Sequence, residues 1–168
     1  MSANGARGRG AVLRVTGAFG RDLGLLVGRV ALAWIFVYHG AATLFGAFGG
    51  AGVHEASRFY GNVAHLHPGA FFAVLSGSIE LFGGILVGLG VLGRLAGAAL
   101  ALDMSGAMAT VTAGNGIASS QPGGGYELTL ALAALAFVIA AVGTGRYSLG
   151  PLLKLRRRRA AAAPAPPA

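Results

Sequence analysis

Cysteine is absent from this 168-residue chain, which excludes disulfides, thiol catalysis and cysteine-held zinc or iron–sulfur centres within it. Charge is nearly as scarce. Only 11% of residues are Asp, Glu, Lys or Arg, and just five of these are acidic. A water-soluble domain carries about 25% charged residues, so this chain cannot cover a globule with polar side chains. What fills the gap is apolar: 55% of the residues are hydrophobic, and the mean hydropathy is +0.69. Lipid is the solvent such a surface fits.

The formal net charge is +8, which raises the question of nucleic acid. Placement answers it. The cations gather at the two ends, Arg7, Arg9, Arg14 and Arg21 on one side and Arg146, Lys154 and Arg156 to Arg159 on the other. No basic face with interleaved aromatics runs through the middle, so the charges read as membrane flanks and no nucleic-acid partner is expected. A basic segment before an apolar one can also be a signal peptide. Here the apolar stretch is about 20 residues long, too long for that, and no Ala-x-Ala exit follows.

Four apolar segments stand out, at 23–45, 70–92, 95–112 and 126–142. Each has roughly the length that crosses a ~30 Å hydrocarbon core at 1.5 Å per residue. Backbone polar groups in lipid must be satisfied within the segment, so each is predicted to be a helix. The expected fold is an all-α membrane protein, a bundle of four transmembrane helices over 23–147. Residues 1–22 form a basic N-terminal tail, mobile or interfacial. Residues 148–168 form a basic, Ala/Pro-rich tail of disordered character, whose Arg run suits anionic lipid. Positions 46–69 read as a polar connection. Lys and Arg fall in the N-tail, at Arg94 and in the C-tail, with Arg58 alone on the other side. The positive-inside rule then puts both termini in the cytoplasm.

Glycine is abundant, with 30 residues. The pairs Gly24/Gly28, Gly84/Gly88 and Gly93/Gly97 are spaced for close helix approach. They read first as packing within one bundle, and alternatively as a face for homo-oligomers. Gly88-Leu-Gly90-Val-Leu-Gly93 spells a dinucleotide fingerprint, but no strand precedes it and no βαβ unit surrounds it.

Ionisable residues inside a span are costly, about 2.5–3.5 kcal/mol each on insertion scales, and usually face the bundle interior. Arg29, His39, Glu80 and Asp103 lie inside the segments, and Glu127 with Tyr126 opens the last. Counting rise per residue puts Arg29, Asp103 and Glu80 at roughly 9, 12 and 15 Å from one face, with His39 some 6 Å from the other. Two clusters are expected: Arg29, Glu80 and Asp103 at mid-depth, and His39, Tyr126 and Glu127 near the outer surface. The first is either a register-fixing ion pair or a proton, quinone or substrate site. Trp34 and Tyr38 read as a quinone-stacking pair or as aromatic-belt anchors. Haem lacks a second histidine inside the membrane, and His65-Leu-His67 reads as surface histidines, so no metal site is expected. No nucleophile–base–orienter set is readable.

Several short motifs stand in a fixed order. They are His39-Gly40 with Leu44-Phe45-Gly46, then Glu80-Leu-Phe-Gly83-Gly84 with Leu89-Gly90 and Arg94. Gly124-Gly125-Tyr126-Glu127 follows, and Gly143-Thr-Gly145-Arg146-Tyr147-Ser148-Leu149 closes the series. Together they resemble the DoxX family of small bacterial membrane proteins, over roughly 29–149. The resemblance implies a four-helix membrane protein tied to respiration or oxidative-stress defence. The resemblance also implies kinship, in a bacterial plasma membrane, with one branch that resembles the quinone-reducing subunit of a thiosulfate oxidoreductase and another that joins soluble redox enzymes in a membrane complex. Two positions depart from the family pattern: Thr43 replaces a frequent Lys, and Gly150 a final Asp. The expected function is therefore an accessory or quinone-facing subunit of a membrane redox complex, with a soluble oxidoreductase partner and quinone as the candidate cofactor. The alternatives are a small transporter or proton pathway, and a non-catalytic membrane anchor.

Overall fold

The computed structural model describes residues 3–120 and 124–150, with side chains described from residue 18 onward. Five α-helices follow one another: α1 (Ala3–Phe45), α2 (Gly52–Asn62), α3 (Gly69–Leu89), α4 (Gly93–Ala107) and α5 (Glu127–Val142). No strand occurs among the described residues. Among the described residues, three stretches are long and apolar enough to cross a membrane: 18–45, 69–89 and 93–115. The 16 residues of α5 are apolar but shorter, about 24 Å at the helical rise.

The helices alternate in direction, and close contacts fix the pairing. Gly40 of α1 lies against Gly77 and Leu81 of α3, while Arg29 lies against Val87 and Gly88. So α1 and α3 are antiparallel. Gly97 of α4 lies against Ala136 and Ala140 of α5, with Gly93 against Thr144 and Thr112 beside Thr129. Gly83 of α3 meets Leu100 of α4. Two antiparallel pairs therefore join along α3 and α4.

The buried stripe on α1 is Leu25, Arg29, Leu32, Phe36 and Gly40, stepping by three or four residues as one helix face must. With Val87, Leu100, Ala136 and Ile139 it forms the core. The opposite face of α1 carries Val27, Val30 and Trp34, all strongly exposed, as lipid contact requires. The glycines serve this packing. A Cβ on Gly84 would come to 3.0 Å from the Phe36 Cβ, and one on Gly97 to 2.9 Å from the Ala136 carbonyl oxygen. The Gly84/Gly88 and Gly93/Gly97 pairs thus face helices of the same chain. Gly24 has open space around it.

Several expected boundaries change. The segment expected as a tail over 1–22 is helical from Ala3. The connection at 46–69 contains α2, whose Glu55 pairs on the exposed face with His54 and Arg58 at 3.3 and 3.4 Å. Its other face buries Ala56 and Gly61 against the start of α3. The third segment keeps α-helical form only to Ala107, then widens into a π-turn at Met108–Thr112 and a 3₁₀ turn at Ala113–Asn115. Of the C-terminal tail, 151–168 lies outside the described residues.

Candidate functional site

Arg29 does not join Glu80 and Asp103. Its guanidinium is 1% exposed and donates four hydrogen bonds to carbonyl oxygens: Val87 at 2.8 Å, and Gly88, Thr144 and Tyr147 at 2.7 Å each. The reason lies in helix ends. The last carbonyls of an α-helix lack intrahelical partners and carry the negative end of its dipole. Val87 and Gly88 close α3, and Gly90 then turns left-handed at φ 70°. The turn at Gly90 leaves no room for a side chain, because a Cβ there would run into the Arg29 guanidinium and Ser148. The segment after α5 closes the ring, with the Leu149 amide donating to the Leu89 carbonyl at 3.0 Å. Arg29 is thus a clamp that binds α1, the end of α3 and the chain beyond α5.

The expected outer cluster also divides. Glu127 accepts from the Ser119 amide at 2.9 Å and from the Ser119 hydroxyl, which stitches the loop between α4 and α5. Tyr126 precedes α5, its amide donating to Gly116 at 3.1 Å. His39 lines a cavity that neither Tyr126 nor Glu127 borders.

A cavity of about 480 Å³ opens in the half of the bundle that holds His39. All five α-helices and the π-turn line it. Ile35, Phe36 and His39 come from α1, Phe59 and Tyr60 from α2, and Phe72, Ser76 and Glu80 from α3. Asp103, Met104 and Ala107 come from α4, and Leu128, Thr129 and Leu132 from α5. The π-turn adds Thr110, Val111 and Thr112. A π-turn widens the helix locally, a feature often found at functional sites.

Most of this wall is apolar. The Tyr60 phenol, the Ser76 hydroxyl and the Asp103 carboxylate all line it. Burial pushes the Tyr60 phenol above its ordinary pKa, and the nearby Asp103 and Glu80 add to the rise. Asp103 Oδ2 is buried without a hydrogen-bond partner among the described residues. Among the described residues, no Lys or Arg lines the cavity. Trp34 and Tyr38 do not line it either. Trp34 is 79% exposed on the outer groove of α1, and Tyr38 stacks on Phe48 at 5.0 Å.

Helical spacing shows why these groups meet. Ala73, Ser76, Gly77, Glu80, Gly83, Gly84 and Val87 form one stripe of α3, and Ala96, Leu100 and Asp103 one stripe of α4. Glu80 and Asp103 therefore face inward together. Sequence reasoning missed Tyr60 and Ser76. The signal available for Tyr60 was the amphipathic pattern of 52–62, with Ala56, Tyr60 and Gly61 on one face and Glu55 and Arg58 on the other.

The DoxX family model matches residues 24–113, more than half of the chain. The chain belongs to the DoxX family. That match covers α1 from Gly24, α2, α3, α4 and the π-turn, so it includes Arg29, His39, Tyr60, Ser76, Glu80 and Asp103. The similarity at 124–149 falls beyond it. Comparison with curated proteins and with solved structures found no match. With its apolar helices, this DoxX chain is a membrane protein.

Proposed function

We propose that this DoxX protein is the quinone-binding membrane subunit of a redox assembly. The observation that carries the reading is the cavity, a mostly apolar chamber whose lining also holds carboxyl, hydroxyl, phenol and imidazole groups. A quinone head group has the matching chemistry, a flat apolar ring with oxygen atoms at its edges. Phe36, Phe72 and Leu132 suit the ring, and Ser76, Tyr60, Glu80 and Asp103 suit the oxygens. Ligand sites of this kind are mostly apolar, with a few polar groups that fix orientation.

Quinone reduction takes up two electrons and two protons. The electrons come from a soluble oxidoreductase that docks on the membrane face. The chain's own residues bind and orient the ring, exclude water and pass protons. His39 is an exposed residue of the cavity lining, and in this reading protons pass from it toward Glu80 and Asp103. In this reading α5 is the fourth span, both termini are cytoplasmic, and the membrane is a bacterial plasma membrane. The cations in the N-terminal segment and at Arg94, against Arg58 at the other end, support that orientation.

Titration of the purified protein in lipid nanodiscs with decylubiquinone tests this. Saturable binding is expected. Glu80→Gln should weaken it about tenfold, and Ala107→Trp, which fills the chamber, should abolish it. Absence of saturable binding by the wild type overturns the reading. Proton flux into liposomes that Glu80→Gln removes, without quinone binding, would favour a proton pathway instead.

A further inference from the structure

The end of the bundle away from the chamber gathers cations around one turn, the segment just after α5. Arg29 holds that turn from inside, through the Thr144 and Tyr147 carbonyls. Gly143 and Gly145 shape it, with φ of 93° and 68°. Three exposed arginines border it. A Cβ on Gly143 would lie 3.4 Å from Arg94 Nε, at the start of α4. A Cβ on Gly145 would lie 3.3 Å from Asp22 Oδ1, which pairs with Arg21 of α1 at 3.3 Å. Arg146 belongs to the turn itself. Asp22 is buried and meets Arg21, so three cations and one anion leave the group a net charge of +2. The other four acidic residues, Glu55, Glu80, Asp103 and Glu127, belong to α2, the chamber and the start of α5. Arg94 and Arg146 have no ion-pair partner among the described residues.

The turn stands at a membrane border. Arg21 and Arg94 lie near the start of the apolar stretches 18–45 and 93–115, and α5 ends at Val142 just before the turn. Leu92 and Leu95, on either side of Arg94 in the chain, are 64% and 70% exposed, and Val142 is exposed as well. Unpaired guanidiniums and bare apolar side chains therefore occur at one level. A phosphate group accepts two parallel hydrogen bonds from an arginine, which makes arginine the side chain suited to it. A free anion would use the cations and leave the leucines uncovered. A phospholipid uses both, because its acyl chains begin where its phosphate ends.

We propose that the turn at 143–146 is a binding site for an anionic phospholipid, its phosphate held by Arg94 and Arg146 and its acyl chains lying against Leu92 and Leu95. The site is independent of what the chamber holds. Arg29 is its positioning residue: at 1% exposed it does not reach the lipid, and it fixes the turn that presents Arg146 beside Arg94. Because the turn forms only in the folded bundle, a lipid held there also stabilises the fold.

Native mass spectrometry of the full chain, equilibrated in detergent with equal amounts of phosphatidylglycerol and phosphatidylcholine, tests this. Phosphatidylglycerol should be retained in preference. Arg94→Gln and Arg146→Gln should each lower that preference about fivefold. Both side chains are exposed, so these variants should fold as the wild type does. Arg58→Gln removes an exposed cation of α2 and should leave the preference unchanged. The cations at 154–159 are the same in every variant, so the comparison isolates the turn. A wild type with no preference overturns the proposal, and so does a preference that persists in both Arg94→Gln and Arg146→Gln. An equal fall in Arg58→Gln means a general effect of charge and overturns it too. Retention that excess inorganic phosphate abolishes assigns the arginines to a free anion and overturns the lipid. Unchanged lipid retention in the two variants, with loss of an acidic soluble protein that co-purifies with the wild type, assigns the surface to that protein and overturns the proposal.

Discussion

Replacing Arg29 by alanine is expected to cost on the order of 4 kcal/mol of stability. Four hydrogen bonds from a charged donor disappear at once. Val87 and Gly88 then end α3 with carbonyls facing an apolar interior, where nothing replaces the donor. Arg29→Lys should recover only part of the loss. An ammonium is a compact charge and cannot reproduce the planar fork that reaches four oxygens. Unfolding in detergent, followed by circular dichroism, measures both. Hydrogen exchange should show the chain at 143–150 loosening first, because Arg29 and Leu89 hold it in place. A double-mutant cycle with Asp103→Asn separates this account from an ion-pair account. The coupling energy should be near zero here, as the two side chains share no contact. An Arg29→Ala variant that unfolds within about 1 kcal/mol of wild type would contradict the clamp.

Gly40→Ala is expected to destabilise the bundle by about 2–3 kcal/mol, although it adds one methyl group. A Cβ at this position would overlap the Leu81 amide nitrogen and the Gly77 carbonyl oxygen, both backbone atoms of α3. Backbone cannot rotate aside as a flexible side chain does, so α1 and α3 must move apart. That shift would open the packing of Phe36 against Gly84 as well. Gly24→Ala is the control. It lies on the same helix with nothing within 4 Å, and alanine is the better helix former there. Its stability should stay at or slightly above wild type. Similar losses at both positions would mean that helix propensity, and not the α1–α3 approach, governs the effect.

How much of this was legible in the sequence differs from feature to feature. The apolar runs located α3, α4, α5 and most of α1, because hydrocarbon length and backbone satisfaction leave helix as the solution. They could not show that α1 continues to Ala3, where no long apolar run exists. The polar stretch 46–69 hid α2, since a helix of 11 residues with four ionisable or histidine-like neighbours carries no membrane signal. Depth arithmetic brought Glu80 and Asp103 together and misplaced Arg29. Rise along a helix gives height, and height says nothing about which carbonyls from other helices lie at the same level. The clamp on Val87, Gly88, Thr144 and Tyr147 depends on chain ends that meet only after folding. His39 lines the chamber apart from Tyr126 and Glu127, which the same height arithmetic had grouped with it. Glu127 found Ser119 eight residues before it, a local contact within a loop that the apolar pattern does not encode.

The family assignment narrows what α1 to α4 form, and the site geometry narrows what they hold. The π-turn at Met108–Thr112 belongs to both, since it lies inside the family match and lines the chamber. Two surfaces can compete for an apolar ligand. One is the chamber around Glu80 and Asp103; the other is the outer groove of α1 formed by Leu26, Val27, Val30, Ala31, Trp34 and Ile35. The groove has no ionisable group and is suited to acyl chains.

Photo-crosslinking with an azido-quinone in nanodiscs, followed by peptide mapping, distinguishes the two most directly. Adducts are expected on residues of the chamber, in the stretches 59–76 and 103–112, and unlabelled decylubiquinol should compete them away. Adducts confined to 26–35, or labelling that excess decylubiquinol leaves unchanged, would contradict a quinone site at Glu80 and Asp103.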